Sequence, residues 1–411
     1  MNNQSYLVVD ISSKLKEFIQ NYISFHLQKE NPYICEPETI EKFSIEVKRF
    51  LKEGLQKRTV TKDVFLTLLS DVERGAVLPA VVFGNLPTEN KTSLLEPSKN
   101  RGYEYGENPH DRLKEGFVTE WVCWLFARLL GYDAVIHPSE HGGNNRFHFI
   151  SPIPHKDSAL RETGASTGGG TFPQHSDATV FTEVTTKEQL NLRLNIYSTD
   201  LNTISEKLQK SHAQILSEVL CKQFTKVDAT FLKGILNVKC VTHIVAPQNL
   251  EAQLRTFDFS SEDFYSLSKM PIAHIAGPAD GEISGYVGEI TQPVFLNRSG
   301  RLVGTCINTA DGRMIYVGKS KEDERLFEKF VRCIQSMEPE KIFLDSDNLI
   351  YIPNRYDGIQ PNYTHGRERL DDAEYRISIG EGKYSRRMHC RQYTVKRPEK
   401  DLSPGGVLLN D

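Results

Sequence analysis

Downstream of Gly131 the apolar residues come in short runs, among them Phe147–Ile150, Ala178–Phe181, Leu192–Tyr197, Gln292–Leu296, Leu302–Ile307, Met314–Val317, Ile342–Leu344 and Leu349–Ile352. Pro, Gly or polar residues separate them. Runs of this length suit strands and are too short for a helix that buries one face. NRSG at 297–300 and ADGR at 310–313 supply turn chemistry between three of them. A chain punctuated in this way is expected to build a body of sheets. Asn202–Leu220 interrupts it as one helix, Glu322–Ser336 as another, and Cys240–Ala276 reads ambiguously, as an insertion.

The residues before Gly131 follow a different period. Ile11–Gln28 carries apolar side chains at helical spacing. Pro37–Glu53 starts on a proline and meets Gly54 as a stop, and Thr61–Asp71 is rich in helix formers. Ala80–Phe83 is a short strand, and Asn85–Asn108 is polar enough to be a surface loop. Lys114–Leu130 shows a broad apolar face that includes Trp121, Trp124 and Leu125, with Gly131 at its end. The division expected is therefore a helical N-terminal elaboration over 1–113, a core over 114–397 with an insertion at about 202–276, and a loose tail over 398–411.

Charge narrows the function classes. Asp and Glu exceed Lys and Arg, 54 to 50, for a formal net charge of −4, so no basic field draws nucleic acid. No apolar run is long enough to span a bilayer, and the first ten residues lack a secretory signal. The 7 cysteines are scattered without a CxxC pair, as in a reducing compartment. A cytoplasmic enzyme with a small-molecule substrate fits these bounds.

Three segments carry chemistry. Gly168–Phe181, GGGTFPQHSDATVF, runs from a Gly-rich stretch into the apolar run ATVF and holds His175 and Asp177. Residues two apart on a strand share a face, so an imidazole and a carboxylate there would point into one space, as two thirds of a 2-His-1-carboxylate iron site do. Composition alone predicts about one or two His-x-acid pairs in such a chain. The other, His155 and Asp157, lies between prolines and glycine-rich sequence that disfavour a regular strand. The second segment, Leu344–Arg367, passes from an apolar run through Asn354–Arg355 to His365–Gly366–Arg367. The third, Lys383–Val395, places Arg387 and Arg391 four apart, on one face of a strand, an arrangement suited to gripping a carboxylate.

Together the three segments resemble the iron- and 2-oxoglutarate-dependent oxygenases of the taurine dioxygenase and clavaminate synthase type. They are similar to that family's HxD/E strand, its N-R…H-G-R segment and its R-x-x-x-R strand, and Glu140–Gly164 resembles the segment leading to the first ligand in the clavaminate synthase-like subgroup. The resemblance implies a double-stranded β-helix (jelly-roll) core, mainly β with α elaboration. It implies Fe(II) held by His175, Asp177 and His365, with 2-oxoglutarate and O2 as co-substrates. Guanidinium suits the distal carboxylate of 2-oxoglutarate better than ammonium does. Arg387 is the expected anchor, with Arg391 beside it. The loops around His365 are longer than the family's, which keeps Arg376 as a competitor. Glu140 and His141 align near a substrate-contacting position. The expected reaction is hydroxylation of an unactivated C–H of an amino-acid-like substrate, releasing succinate and CO2. Asp177 favours that outcome, since halogenating relatives carry a small residue there. Desaturation and cyclisation share the class. A non-catalytic metal- or ligand-binding jelly roll is the rival from another class. The N-terminal helices either pack on the barrel or join two copies of the chain as a homodimer.

Overall fold

The structure, a computed structural model, describes residues 5–32, 35–57, 63–88, 117–134, 147–150, 172–177, 184, 186–220, 227–236, 240–276, 286–310, 312–354, 362–369 and 384–392. It is a mixed helix-and-sheet protein with several sheets. The order of its first half is β1 (Tyr6–Asp10), α1 (Ser13–Tyr22), α2 (Pro37–Gln56), α3 (Val64–Glu73), β2 (Ala80–Gly84), α4 (Val118–Leu129), β3 (Tyr132–Ala134), β4 (His148–Ile150) and β5 (Phe172–His175). Then come α5 (Lys187–Ile196), α6 (Leu201–Leu208), α7 (His212–Leu220), β6 (Ala229–Leu236), β7 (Cys240–Val245), α8 (Pro247–Thr256), α9 (Ser261–Leu267), β8 (Ile272–Ala276) and β9 (Tyr286–Thr291). The chain closes with β10 (Val294–Leu296), β11 (Leu302–Thr305), β12 (Met314–Tyr316), α10 (Lys321–Gln335), β13 (Glu340–Ile342), β14 (Leu349–Pro353), β15 (Thr364–Arg369) and β16 (Tyr384–Gln392).

Two sheets lie face to face. The larger runs β1-β2-β14-β6-β16-β3, with β4 also on β16, and the smaller runs β13-β7-β15-β5. Strands β2 and β14 are buried along their whole length, which is why AVVFG and LIYIP are apolar without alternation. One set of side chains in the larger sheet (Val81, Phe83, Ala229, Phe231, Leu349, Tyr351) packs on α1–α4. The other set (Ala80, Val82, Leu232, Ile350, Ile352) meets Ile244, Ile342 and Tyr363 of the smaller sheet. Val245, on the opposite side of the smaller sheet, packs with α8, α9 and α10. Helix α4 is covered on nearly every side, between the sheet and α2, which accounts for its apolar residues all round. Gly131, at φ +85°, ends it as expected. The N-terminal helices thus pack on the sheet, and the first 113 residues also contribute β1 and β2, which pair in parallel.

Several local expectations are corrected. Leu192–Tyr197 is helix, not strand. Its alternation hid a Thr186/Gln189 capping box and the buried pair Leu190 and Leu194, one turn apart. Asn202–Leu220 is two helices, because Gln209 turns left-handed at φ +51° and Ser211 with Gln214 caps the second. Gly54 does not stop α2, which runs through it to Gln56. Within the ambiguous stretch, β7 is an inner strand of the smaller sheet, held between β13 and β15. Ala178–Phe181 and most of the 85–108 loop fall outside the described residues. Among those described, no helix is long and apolar enough to cross a membrane.

Candidate metal centre

The site is built where β5 and β15 run antiparallel. His175 stands directly opposite His365 in that register, so both imidazoles leave the same face, with ring centroids 4.2 Å apart. Strand β5 ends there. Ser176 donates its backbone N–H to Ile307 O at 2.7 Å and its hydroxyl to Thr305 O at 2.8 Å. Asp177 therefore lies in a turn beyond the strand rather than on it, which corrects the expectation of a shared strand face; the turn brings its carboxylate to the two histidines instead. Asp177 Oδ2 is 2.9 Å from His365 Nε2, and Oδ1 is 3.7 Å from His175 Nε2. One donor atom from each residue lies within 4.8 Å of the others, and all three residues are buried.

The electronic state of the donors follows from their surroundings. Burial, and then the charge of His365, pull the His175 imidazole down to a pKa of about 4, against smaller upward pulls from Asp177 and from the Pro173 carbonyl. His175 is thus neutral near pH 7. Its Nδ1 sits 3.0 Å from Pro173 O, which can only accept, so Nδ1 carries the hydrogen and Nε2 turns its lone pair towards the cluster. His365 Nε2 is buried and, though 2.9 Å from the carboxylate, has no hydrogen-bond partner among the described residues. A buried nitrogen left unpaired beside a carboxylate is costly unless both converge on a third body. Neighbouring positions on an octahedral first-row ion lie about 3 Å apart, close to the His365–Asp177 spacing. Two imidazoles and one carboxylate are the donor set of a facial iron site, and the residues fit that ion.

Two residues whose supporting role no motif announced hold Asp177. Thr230, on β6, donates its hydroxyl to Asp177 Oδ2. The Asn354 amide donates to the Asp177 carbonyl at 2.9 Å and to Val227 O at 3.2 Å, and its own N–H reaches Asp228 O. Asn354 is legible in the N-R pair as a residue, but not as a clamp. Thr230 sits among apolar neighbours in ATFLKGIL and carries no signal of its own.

The arginines are placed by their strand. In the register of β16 on β6, His389 stands opposite Thr230 and Arg387 opposite Leu232. Opposed residues share a sheet face, so position 387 belongs to the face that carries Thr230. Position 391 has the same parity and pairs with Asp133 of β3. Arg376, Glu140, His141, His155 and Asp157 lie outside the described residues.

No protein-family model and no curated protein sequence matches the chain. Solved structures do. A structure of asparagine oxygenase with Fe(II), 3-hydroxyasparagine and succinate superposes with a TM-score of 0.59, covering 98% of each chain at 13% identity. The non-heme iron oxygenase OrfP with Fe and 2-oxoglutarate (α-ketoglutaric acid) superposes with a TM-score of 0.57, covering 98% of this chain and 99% of that one at 12% identity. OrfP with Fe, succinate and 3-hydroxyarginine gives 0.54 at 13% identity. The chain has the fold of these two oxygenases, at very low sequence identity.

Proposed function

We propose that the chain is an Fe(II)- and 2-oxoglutarate-dependent oxygenase that hydroxylates an unactivated C–H of a small amino-acid-like substrate, releasing succinate and CO2. The observation that carries this reading is the convergence of His175, Asp177 and His365, all buried, with a His365 Nε2 that no group among the described residues hydrogen-bonds. The solved neighbours hold iron, 2-oxoglutarate or succinate, and hydroxylated asparagine or arginine, which supports both the co-substrate and the substrate class.

In this reading His175 and His365 would hold Fe(II) through imidazole nitrogens and Asp177 through its carboxylate. Bound there, the ion would supply the activation of O2, one atom ending in the substrate hydroxyl and the other in succinate as 2-oxoglutarate loses CO2. Burial of the three ligands keeps bulk water from the reacting side. Arg387 receives the distal carboxylate. Its register position supports this, on the face that carries Thr230 and two residues along β16 from the residue opposite Thr230. Arg391 and Arg376 are the competing anchors, and Glu140 and His141 are proposed to meet the substrate's amino or carboxylate group. The two facing sheets support a double-stranded β-helix core, and the free cysteines among the described residues suit a cytoplasmic setting.

Anaerobic absorption spectroscopy with Fe(II) and 2-oxoglutarate tests the proposal. A visible charge-transfer band is expected in the wild type, absent in His175→Ala and requiring at least tenfold more 2-oxoglutarate in Arg387→Ala. Succinate release is then followed across free amino acids. Bound iron without any band would overturn the reading in favour of a binding module.

A further inference from the structure

We infer that Thr230 is a positioning residue for the metal site, acting through Asp177 and holding its carboxylate in the one orientation that serves a bound ion. This rests on the iron-site reading above.

Asp177 needs such a device because it lies past the end of β5, where no strand register orients its side chain. Its backbone is already held. The preceding residue is bonded to Ile307 and Thr305, and the Asn354 amide grips the Asp177 carbonyl. The Thr230 hydroxyl adds a hold on the carboxylate itself, from a side of the site that carries no metal ligand. An ionised carboxylate only accepts, so the threonine donates. Thr230 is a rigid post. It is fully buried, mid-sheet, paired with Ile352 on one side and His389 on the other. A hydroxyl on such a strand cannot follow the carboxylate if it turns, so it selects one rotamer. A carboxylate released from this bond can offer both oxygens to the ion, occupying a position that the keto acid requires.

The test separates the hydroxyl of Thr230 from its methyl. Thr230→Val keeps the shape and removes the donor, while Thr230→Ser keeps the donor and removes the methyl. Co(II) and Fe(II) affinity is measured anaerobically by titration on metal-free protein, with circular dichroism to confirm folding, and the Fe(II)–2-oxoglutarate band is recorded for each. Loss of a group that orients a metal ligand weakens binding by about 10- to 100-fold. That loss is expected in Thr230→Val, with Thr230→Ser within about threefold of wild type. Should the valine variant not fold, Thr230→Ala against Thr230→Ser isolates the same hydroxyl. Equal affinity in wild type and Thr230→Val would overturn the inference. So would serine and valine variants weakened alike, since that pattern reports packing. A wild type that binds neither ion would instead sink the metal-site reading itself.

Discussion

Gly366, next to His365, sits where β15 leaves no room for a side chain against β5. A Cβ built on it would lie 2.8 Å from Phe172 O and 3.2 Å from the carbon and oxygen of the Pro173 carbonyl. These are backbone atoms of β5, so no side chain can swing aside. Ordinary contact begins at 3.4 Å, so Gly366→Ala requires β5 and β15 to separate by about 0.6 Å (3.4 − 2.8). Overpacking of this kind costs about 1–3 kcal/mol of stability. The displacement also exceeds the roughly 0.5 Å within which a binding constellation tolerates error. His175 moves with β5 while His365 stays on β15, so Co(II) affinity should fall at least tenfold, about 1.4 kcal/mol. Isothermal titration gives the affinity and thermal unfolding of the metal-free protein gives the stability. Gly318→Ala is the control, since the atoms nearest its added methyl belong to the Tyr316 side chain, and it should cost stability without touching the metal. Unchanged Co(II) affinity in a folded Gly366→Ala protein would refute the claim that this glycine sets the spacing of the histidines.

Two further predictions concern the same residues. The depressed pKa of His175 makes metal-free protein acid-sensitive: the unfolded chain takes up a proton near pH 6.5, the folded chain only near 4, so the unfolded state binds more protons in between and stability rises with pH. The contribution is complete above about pH 6.5 and falls by about 3 kcal/mol towards pH 4. Urea midpoints of wild type and His175→Gln at pH 7 and 4.5 should therefore converge in acid, and parallel losses would refute it. Asn354→Ala strips partners from the buried carbonyls of Asp177 and Val227, and is expected to lower stability by about 2–4 kcal/mol and to weaken Co(II) binding, read by thermal shift with and without the ion.

How much of this was legible depended on distance along the chain. His175, Asp177 and His365 stood out because ligands must be imidazole or carboxylate, whatever surrounds them. The local geometry did not. His175 closes a strand that begins at Phe172, in FPQH, where a proline disguises it, while the run ATVF drew the eye downstream. Strand β7 reads as CVTHIV and looked ambiguous because its partners, β13 and β15, lie about a hundred residues further on, and nothing local announces such pairing. Strand β6 carries a fully buried Lys233, whose ammonium reaches the Gly234 and Ser346 carbonyls, and that charge breaks the apolar run by which a central strand is recognised. Thr230 and Asn354 were invisible as supports because a hydrogen bond to a ligand has no spacing rule.

The last described strand, β16, lies inside the larger sheet, between β6 and the pair β3 and β4. During synthesis, β6 therefore emerges some 150 residues before the neighbour that closes it (384 − 229 = 155). Until then a long, largely buried strand presents open N–H and C=O groups to whatever is nearby. One edge of β6 stays open until β16 emerges, so chaperone dependence should persist for ribosome-held chains that stop short of Tyr384.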